Sequence, residues 1–137
     1  MLQQLMFHHL GLALRSDEGA RAFLERIGYE CGERIFDPLQ NVYVRLCTST
    51  SMPAVELIMA AAGSSPLKPI LKNFSEMIYH TCYEVHDRDA FLAELAVSGI
   101  REICVSAPQE AVLFAGRKVS FHQVKGFGLI ELLDAAA

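Results

Sequence analysis

The chain repeats itself, and this repetition restricts its fold more than any other feature. Phe7-His8-His9-Leu10-Gly11-Leu12-Ala13-Leu14 is a β-type run, followed by a helical pattern over residues 17–28. Ser16 or Asp17 is placed to cap that helix and Gly28 to end it. The second half opens the same way. Residues 78–85 (Ile-Tyr-His-Thr-Cys-Tyr-Glu-Val) read as a strand, and residues 87–99 read as a helix stopped by Gly99. Strand-like stretches follow each helix: 29–36, 41–48 and 54–60 in the first half, and 100–105, 111–114 with 118–124, and 129–133 in the second. Asp37-Pro38, Gly63-Ser64-Ser65-Pro66 and Ala115-Gly116 punctuate them, and residues 66–74 read as a short connecting helix.

The expected organisation is one domain over 1–137, with an internal repeat at 5–62 and 76–135. A single unit of about 60 residues, with one helix and a sheet, buries little and leaves long edges. Two units side by side share a core and give one curved sheet backed by helices. Whether the units pair within one chain or across a dimer stays open at this level. Hydrophobic residues at 52% and charged residues at 20% exclude disorder. A net charge of −4 with no basic run excludes a nucleic-acid partner or an anionic membrane surface. The start, MLQQLMFHH, has no basic region and no long apolar stretch, and no apolar run approaches the roughly 20 residues of a spanning helix. Cys31, Cys47, Cys82 and Cys104 lack any C-x-x-C spacing. They read as reduced, small core residues of a cytoplasmic protein.

The repeat carries chemistry at matching places. His9 and His80 sit in the first strand of each half, and Glu56 and Glu131 in the last. The His-to-Glu separation is 47 residues in the first half (9 to 56) and 51 in the second (80 to 131). Side chains alternate along a strand, so His9 shares a face with Gly11 and Ala13, whose small size leaves room for a ligand. Glu56 lies opposite to Val55, Leu57 and Met59, and Glu131 interrupts an apolar strand. A carboxylate in an apolar strand costs several kcal/mol unless it is paired or metal-bound. Two imidazoles and two carboxylates suit a divalent cation, whose charge the carboxylates balance. Four ligands leave two positions of an octahedron for water or for substrate oxygens, and such an ion polarises a carbonyl and favours an enolate.

One strand histidine is more often a satisfied core residue, and one strand glutamate often faces solvent. Four at repeat-equivalent places are poorly explained that way. His8 alternates away from His9 and reads as structural, and His86 reads as a cap to the second helix. His122, late in its strand, either packs or lines a cavity. Lys68 and Lys72 read as a solvated face, able to meet an acidic substrate tail. There is no phosphate loop and no nucleophile–base motif.

These pieces resemble the vicinal oxygen chelate superfamily, which includes glyoxalase I, extradiol dioxygenases and bleomycin-binding proteins. Within it, the chain most resembles the methylmalonyl-CoA epimerase branch. The resemblance runs from Phe7 to Asp134. It is carried by residues 8–13, 55–58, 65–71 (Ser-Pro-Leu-Lys-Pro-Ile-Leu), 79–87, 116–121 and 128–132. It implies an α+β fold of two βαβββ modules, forming a curved, mostly antiparallel sheet around a metal or ligand cavity with the helices on the outer face. It also implies His9, Glu56, His80 and Glu131 as ligands of a divalent ion, which the donor set leaves open among Zn, Co, Ni, Mn and Fe. A homodimer is the expected assembly.

Two departures bear on activity. The epimerases commonly have Gln where this chain has Glu56, and glyoxalase I has Glu there. The epimerases also carry a third-strand Glu that shares proton transfer with the last-strand Glu. Here that place is Val44, and Tyr43 or Arg45 could take it over only if the register slipped by one, which would flip both to the other face. Epimerisation is favoured by two acid–base groups, one on each face of the carbon. The acidic Asp-Pro-Asp-Gly turn of glyoxalase I is absent as well.

The first expectation is therefore a metal-dependent lyase or isomerase acting on a small molecule such as an acyl-CoA or other thioester. In it Glu131 is ligand and base, and Glu56 is ligand or alternative base. The second is a module that binds and sequesters a small molecule, with or without metal. The third, an extradiol dioxygenase, needs Fe(II) on two His and one carboxylate, which the four-ligand pattern does not match.

Overall fold

Alternating apolar and polar runs become strands wherever one face can be buried, and the turn residues fix where each strand stops. In the computed structural model, which describes residues 5–136, this yields nine strands and three α-helices. Met1–Gln4, the beginning of the MLQQLMFHH start read above, and Ala137 lie outside the described residues. The described residues divide by contacts into two units. The first is His9–Tyr79, and the second holds the rest.

The first unit takes β1 (Met6–Leu14) from His9 onward, then α1 (Glu18–Arg26), β2 (Glu30–Cys31), β3 (Ile35–Asp37), β4 (Val42–Thr48) and β5 (Ala54–Ala60). β1 runs parallel to β5, β4 pairs antiparallel with β5, and β2 and β3 both pair antiparallel with β4. Leu24 of α1 joins Leu14, Tyr29, Cys47, Val55, Leu57 and Met59 in one buried cluster. Leu57 is fully buried, and a leucine so placed stabilises the fold by about 1.5–3 kcal/mol.

The second unit repeats the plan. β6 (Glu76–Val85, in this unit from His80 onward), α3 (Arg88–Val97), β7 (Glu102–Glu110), β8 (Lys118–Val124) and β9 (Gly128–Asp134) are arranged with β6 parallel to β9 and with β8 antiparallel to both β9 and β7. Phe91 and Leu95 of α3 share one buried cluster with Val85, Ile130 and Leu132. Strand pairing is thus mostly antiparallel, and the fold is α+β. The connector helix α2 is short, Lys68–Leu71. No helix among the described residues is long and apolar enough to cross a membrane.

Both long helices end on the same device. Gly28 (φ +109°) and Gly99 (φ +78°) follow the helix caps in the left-handed region. Their N–H groups donate to Glu25 and Ala96, and the next N–H groups, of Tyr29 and Ile100, donate to Leu24 and Leu95 at 2.9 Å. At the other end of α1 the expected cap is different. Asp17 makes no capping bond and instead accepts from Arg45 Nε at 2.9 Å. Asp87 does cap α3, accepting from Ala90 N–H at 3.0 Å.

Several places depart from the sequence expectation: the strand expected at 100–105 extends through Glu110, and the connecting helix expected at 66–74 covers only Lys68–Leu71. Residues 29–36 are not one strand. Cys31 pairs with Cys47 but Ile35 pairs with Val44, so one extra residue bulges out around Gly32. A Cβ at Gly32 would come to 3.1 Å of Leu46 O, which explains the glycine. Residues 112–114 form a 3-10 turn rather than a strand, closed by left-handed Ala115 (φ +53°) and Gly116 (φ +78°). Cys104 is exposed on β7, not in a core.

Gly28→Ala isolates the cost of the helix stop, because nothing lies within 4 Å of the added methyl. It should lower the unfolding free energy by about 1 kcal/mol, seen as a lower urea midpoint at unchanged slope.

Candidate metal centre

Parallel strands place residues of equal parity on the same face, and each unit uses this to join one imidazole to one carboxylate. In the first unit Glu56 on β5 stands opposite Gly11, two residues after His9 on β1. In the second unit Glu131 on β9 stands opposite Cys82, two residues after His80 on β6. The register is the same in both. His9 Nε2 lies 3.3 Å from Glu56 Oε1, and His80 Nε2 lies 3.1 Å from Glu131 Oε1. All four residues are buried, with relative exposures of 0% for His9, 7% for Glu56, 2% for His80 and 2% for Glu131. The His80 ring also meets the edge of Phe121 at 5.3 Å.

The strand beside each Glu is apolar. β4 presents Val42, Val44 and Leu46 to the face of Glu56, through the pairs Val42 with Ala60, Val44 with Ile58, and Leu46 with Glu56. Val44 is buried at 4% exposure, so hydrocarbon occupies the place where the resemblance leads one to expect a glutamate. Tyr43 and Arg45 occupy the other face. Arg45 binds Asp17 and the carbonyl of Gly32, and Tyr43 lies under the Arg34 guanidinium at 3.8 Å. No register slip brings either one to Glu56.

The remaining histidines sit elsewhere. His8 packs edge-on against Phe114 at 5.0 Å. His86 is exposed, and Asp87 does the capping. His122 belongs to a buried row that the sequence reading missed. Its Nδ1 is 2.9 Å from Glu102 Oε2 and its Nε2 is 2.8 Å from Ser120 Oγ. Ser120 in turn accepts from Arg88 Nε at 2.8 Å. The spacing imitates a nucleophile–base–acid relay, but Ser120 is wholly buried and already accepts from Arg88. Arg88 also reaches Leu132 O and the Asp134 carboxylate, so the row ties the start of α3 to β8 and β9. The i,i+2 spacing of Ser120 and His122 was its one trace in the sequence. A cleft of about 840 Å³ in the first unit, lined by Leu10, Leu12, Leu14, Phe23 and Tyr29, lies on the helix-covered face of β1, away from His9.

The family model for the Glyoxalase/Bleomycin resistance protein/Dioxygenase superfamily matches residues 8–121, most of the chain. The chain belongs to this superfamily. No curated protein matches it. Among solved structures, this superfamily member is similar to methylmalonyl-CoA epimerase from Mycobacterium tuberculosis. The TM-score is 0.77 at 20% identity, covering 100% of this chain and 94% of that one. It is also similar to a hypothetical protein of Bacillus halodurans (TM-score 0.80, 17% identity, 98% and 97% covered). A third similar structure is a variant methylmalonyl-CoA epimerase of Streptomyces coelicolor in complex with 2-nitronate-propionyl-CoA (TM-score 0.70, 20% identity, 98% and 100% covered). At these identities the likeness establishes the fold.

Ser120→Ala should cost about 1–3 kcal/mol of unfolding free energy, since it leaves Arg88 Nε and His122 Nε2 buried without their shared partner. Chemical denaturation checks this.

Proposed function

We propose that His9, Glu56, His80 and Glu131 act as one set that holds a single divalent ion, and that the protein catalyses proton transfer beside a carbonyl. The observation that carries this reading is the pair of buried His–Glu contacts at the same register in the two units. The donors suit such an ion: two carboxylates balance its charge, and two imidazoles add nitrogen ligands acceptable to Zn, Co, Ni, Mn or Fe. When bound, the ion supplies positive charge that stabilises an enolate oxygen.

The chain's own residues would do the rest. Glu131, oriented by His80, takes the proton from the α-carbon. Glu56, oriented by His9, is the second carboxylate able to return it. Val42, Val44 and Leu46 exclude water on the Glu56 side, which strengthens electrostatic interactions there. The structural likeness to epimerases, one of them holding a propionyl-CoA analogue, favours an acyl thioester as substrate. With valine at position 44, both proton steps fall to the two glutamates. A single 1–137 domain working as a homodimer is part of the same reading.

Val44 also favours a second reading, in which the protein binds a small carbonyl compound without turning it over. The two are separated by incubating the Co(II)-loaded protein with a 2-methylmalonyl-type thioester in D2O. Wild type should exchange the α-proton, and Glu131→Gln should slow exchange by about 100-fold or more. Saturable binding with no exchange from any acyl thioester would establish the sequestering role instead.

Metal content is tested first. Wild type purified without chelator should carry one divalent ion per chain, and His80→Ala should weaken binding by at least about 100-fold, read by elemental analysis and Co(II) titration. A wild type that takes up no divalent ion refutes the four-ligand set.

A further inference from the structure

β2 is a two-residue edge strand, and its only side chain turned toward the core is a thiol. Cys31 stands directly opposite Cys47 of β4. Gly32 N–H donates to Leu46 O at 2.8 Å, so Gly32 and Leu46 form a hydrogen-bonded pair. The neighbouring Cys31–Cys47 pair is therefore of the non-hydrogen-bonded kind, in which Cα atoms approach to about 4.5 Å. That separation lies inside the window a disulfide requires. Both thiols are free, and Cys47 Sγ donates to Cys31 Sγ at 2.6 Å.

We propose that Cys31 and Cys47 form a reversible redox pair, closing to a cross-strand disulfide when the protein meets a peroxide. The partners are unequal. Cys47 is fully buried among Leu24, Tyr29 and Val55, whereas Cys31 is half-exposed at the edge. Burial, then the hydrogen bond with Cys31, pushes the Cys47 thiol up to about 12, so Cys47 keeps its proton and Cys31 is the sulfur that meets the oxidant.

The chemistry balances in two steps. Cys31 sulfur attacks one peroxide oxygen, so an S–O bond forms and the O–O bond breaks. The departing oxygen leaves as water, and Cys31 becomes a sulfenic acid. Cys47 sulfur then attacks Cys31 sulfur, the S–O bond breaks, and the leaving oxygen takes the Cys47 proton and departs as a second water. Two thiols are oxidised and one peroxide is reduced to two waters. A dithiol reductant reverses the change by thiol–disulfide exchange. The pair needs no ion and no substrate, so it stands apart from the metal reading.

The test uses the whole chain with a few equivalents of hydrogen peroxide. Thiols are then alkylated under denaturing conditions and the digest is weighed. The expected product is one peptide pair joining Cys31 to Cys47, lighter than the two reduced peptides by two hydrogen atoms and separated again by dithiothreitol. Cys31→Ser should abolish it, and Cys104→Ser, which removes the exposed thiol on β7, should leave it intact. The wild-type measurement decides the matter even if Cys31→Ser does not fold. Cys47 still fully alkylated after peroxide, whether Cys31 is then free or carries a sulfinic acid, overturns the proposal.

Discussion

Everything at the candidate centre depends on placing a carboxylate in a sheet without leaving its charge alone. An isolated carboxylate at the depth of Glu131 would cost several kcal/mol. Each unit meets this with the geometry of a parallel strand pair. A side chain reaches diagonally to the neighbour two residues back, and that neighbour is histidine. The parallel pairing in turn needs a crossover, which α1 supplies between β1 and the later strands, and α3 between β6 and its own. The helices thus have two tasks. They cover the apolar face, and they carry the chain across to the strands that complete each unit.

The same alternation that brings His9 to Glu56 sends Arg45 and Cys47 to the opposite face. β4 therefore keeps two separate chemistries a single residue apart. On one face of β4 are Val42, Val44 and Leu46, beside the glutamate. On the other are an arginine bound to Asp17 and a thiol bound to a thiol. This separation is why valine at position 44 is informative, since no side chain from the adjacent positions can stand in for a carboxylate there.

Much of this was legible from residues alone. The repeat was visible because helix-stopping glycines recur at Gly28 and Gly99 and because His and Glu recur at similar spacing. Strands bounded by clear turns, such as Lys118–Val124 and Ala54–Ala60, were read with their true limits. Misread segments were those whose form depends on a partner strand. The bulge at Gly32 follows from a mismatch between β2 and β3 along β4, which no local pattern contains. The 3-10 turn at 112–114 depends on Phe114 burying itself against His8, more than 100 residues away in sequence. The Arg88–Ser120–His122–Glu102 row was hidden for the same reason, because it joins a helix and two strands that only folding brings together.

The bulged outer strand of the second unit has a consequence for how the protein behaves at high concentration. β7 is an edge strand, and it exposes Ile103 and Val105 at 71% and 62%. A long, flat, exposed edge strand can template fibril growth, which requires a ladder of consecutive rungs. Here the register shifts once between Cys104 and Ser106 and again between Ser106 and Gln109, and Pro108 removes a donor within the second shift. An incoming strand would find no run long enough to zip onto, so the chain displays a greasy margin while denying it to amyloid-like stacking.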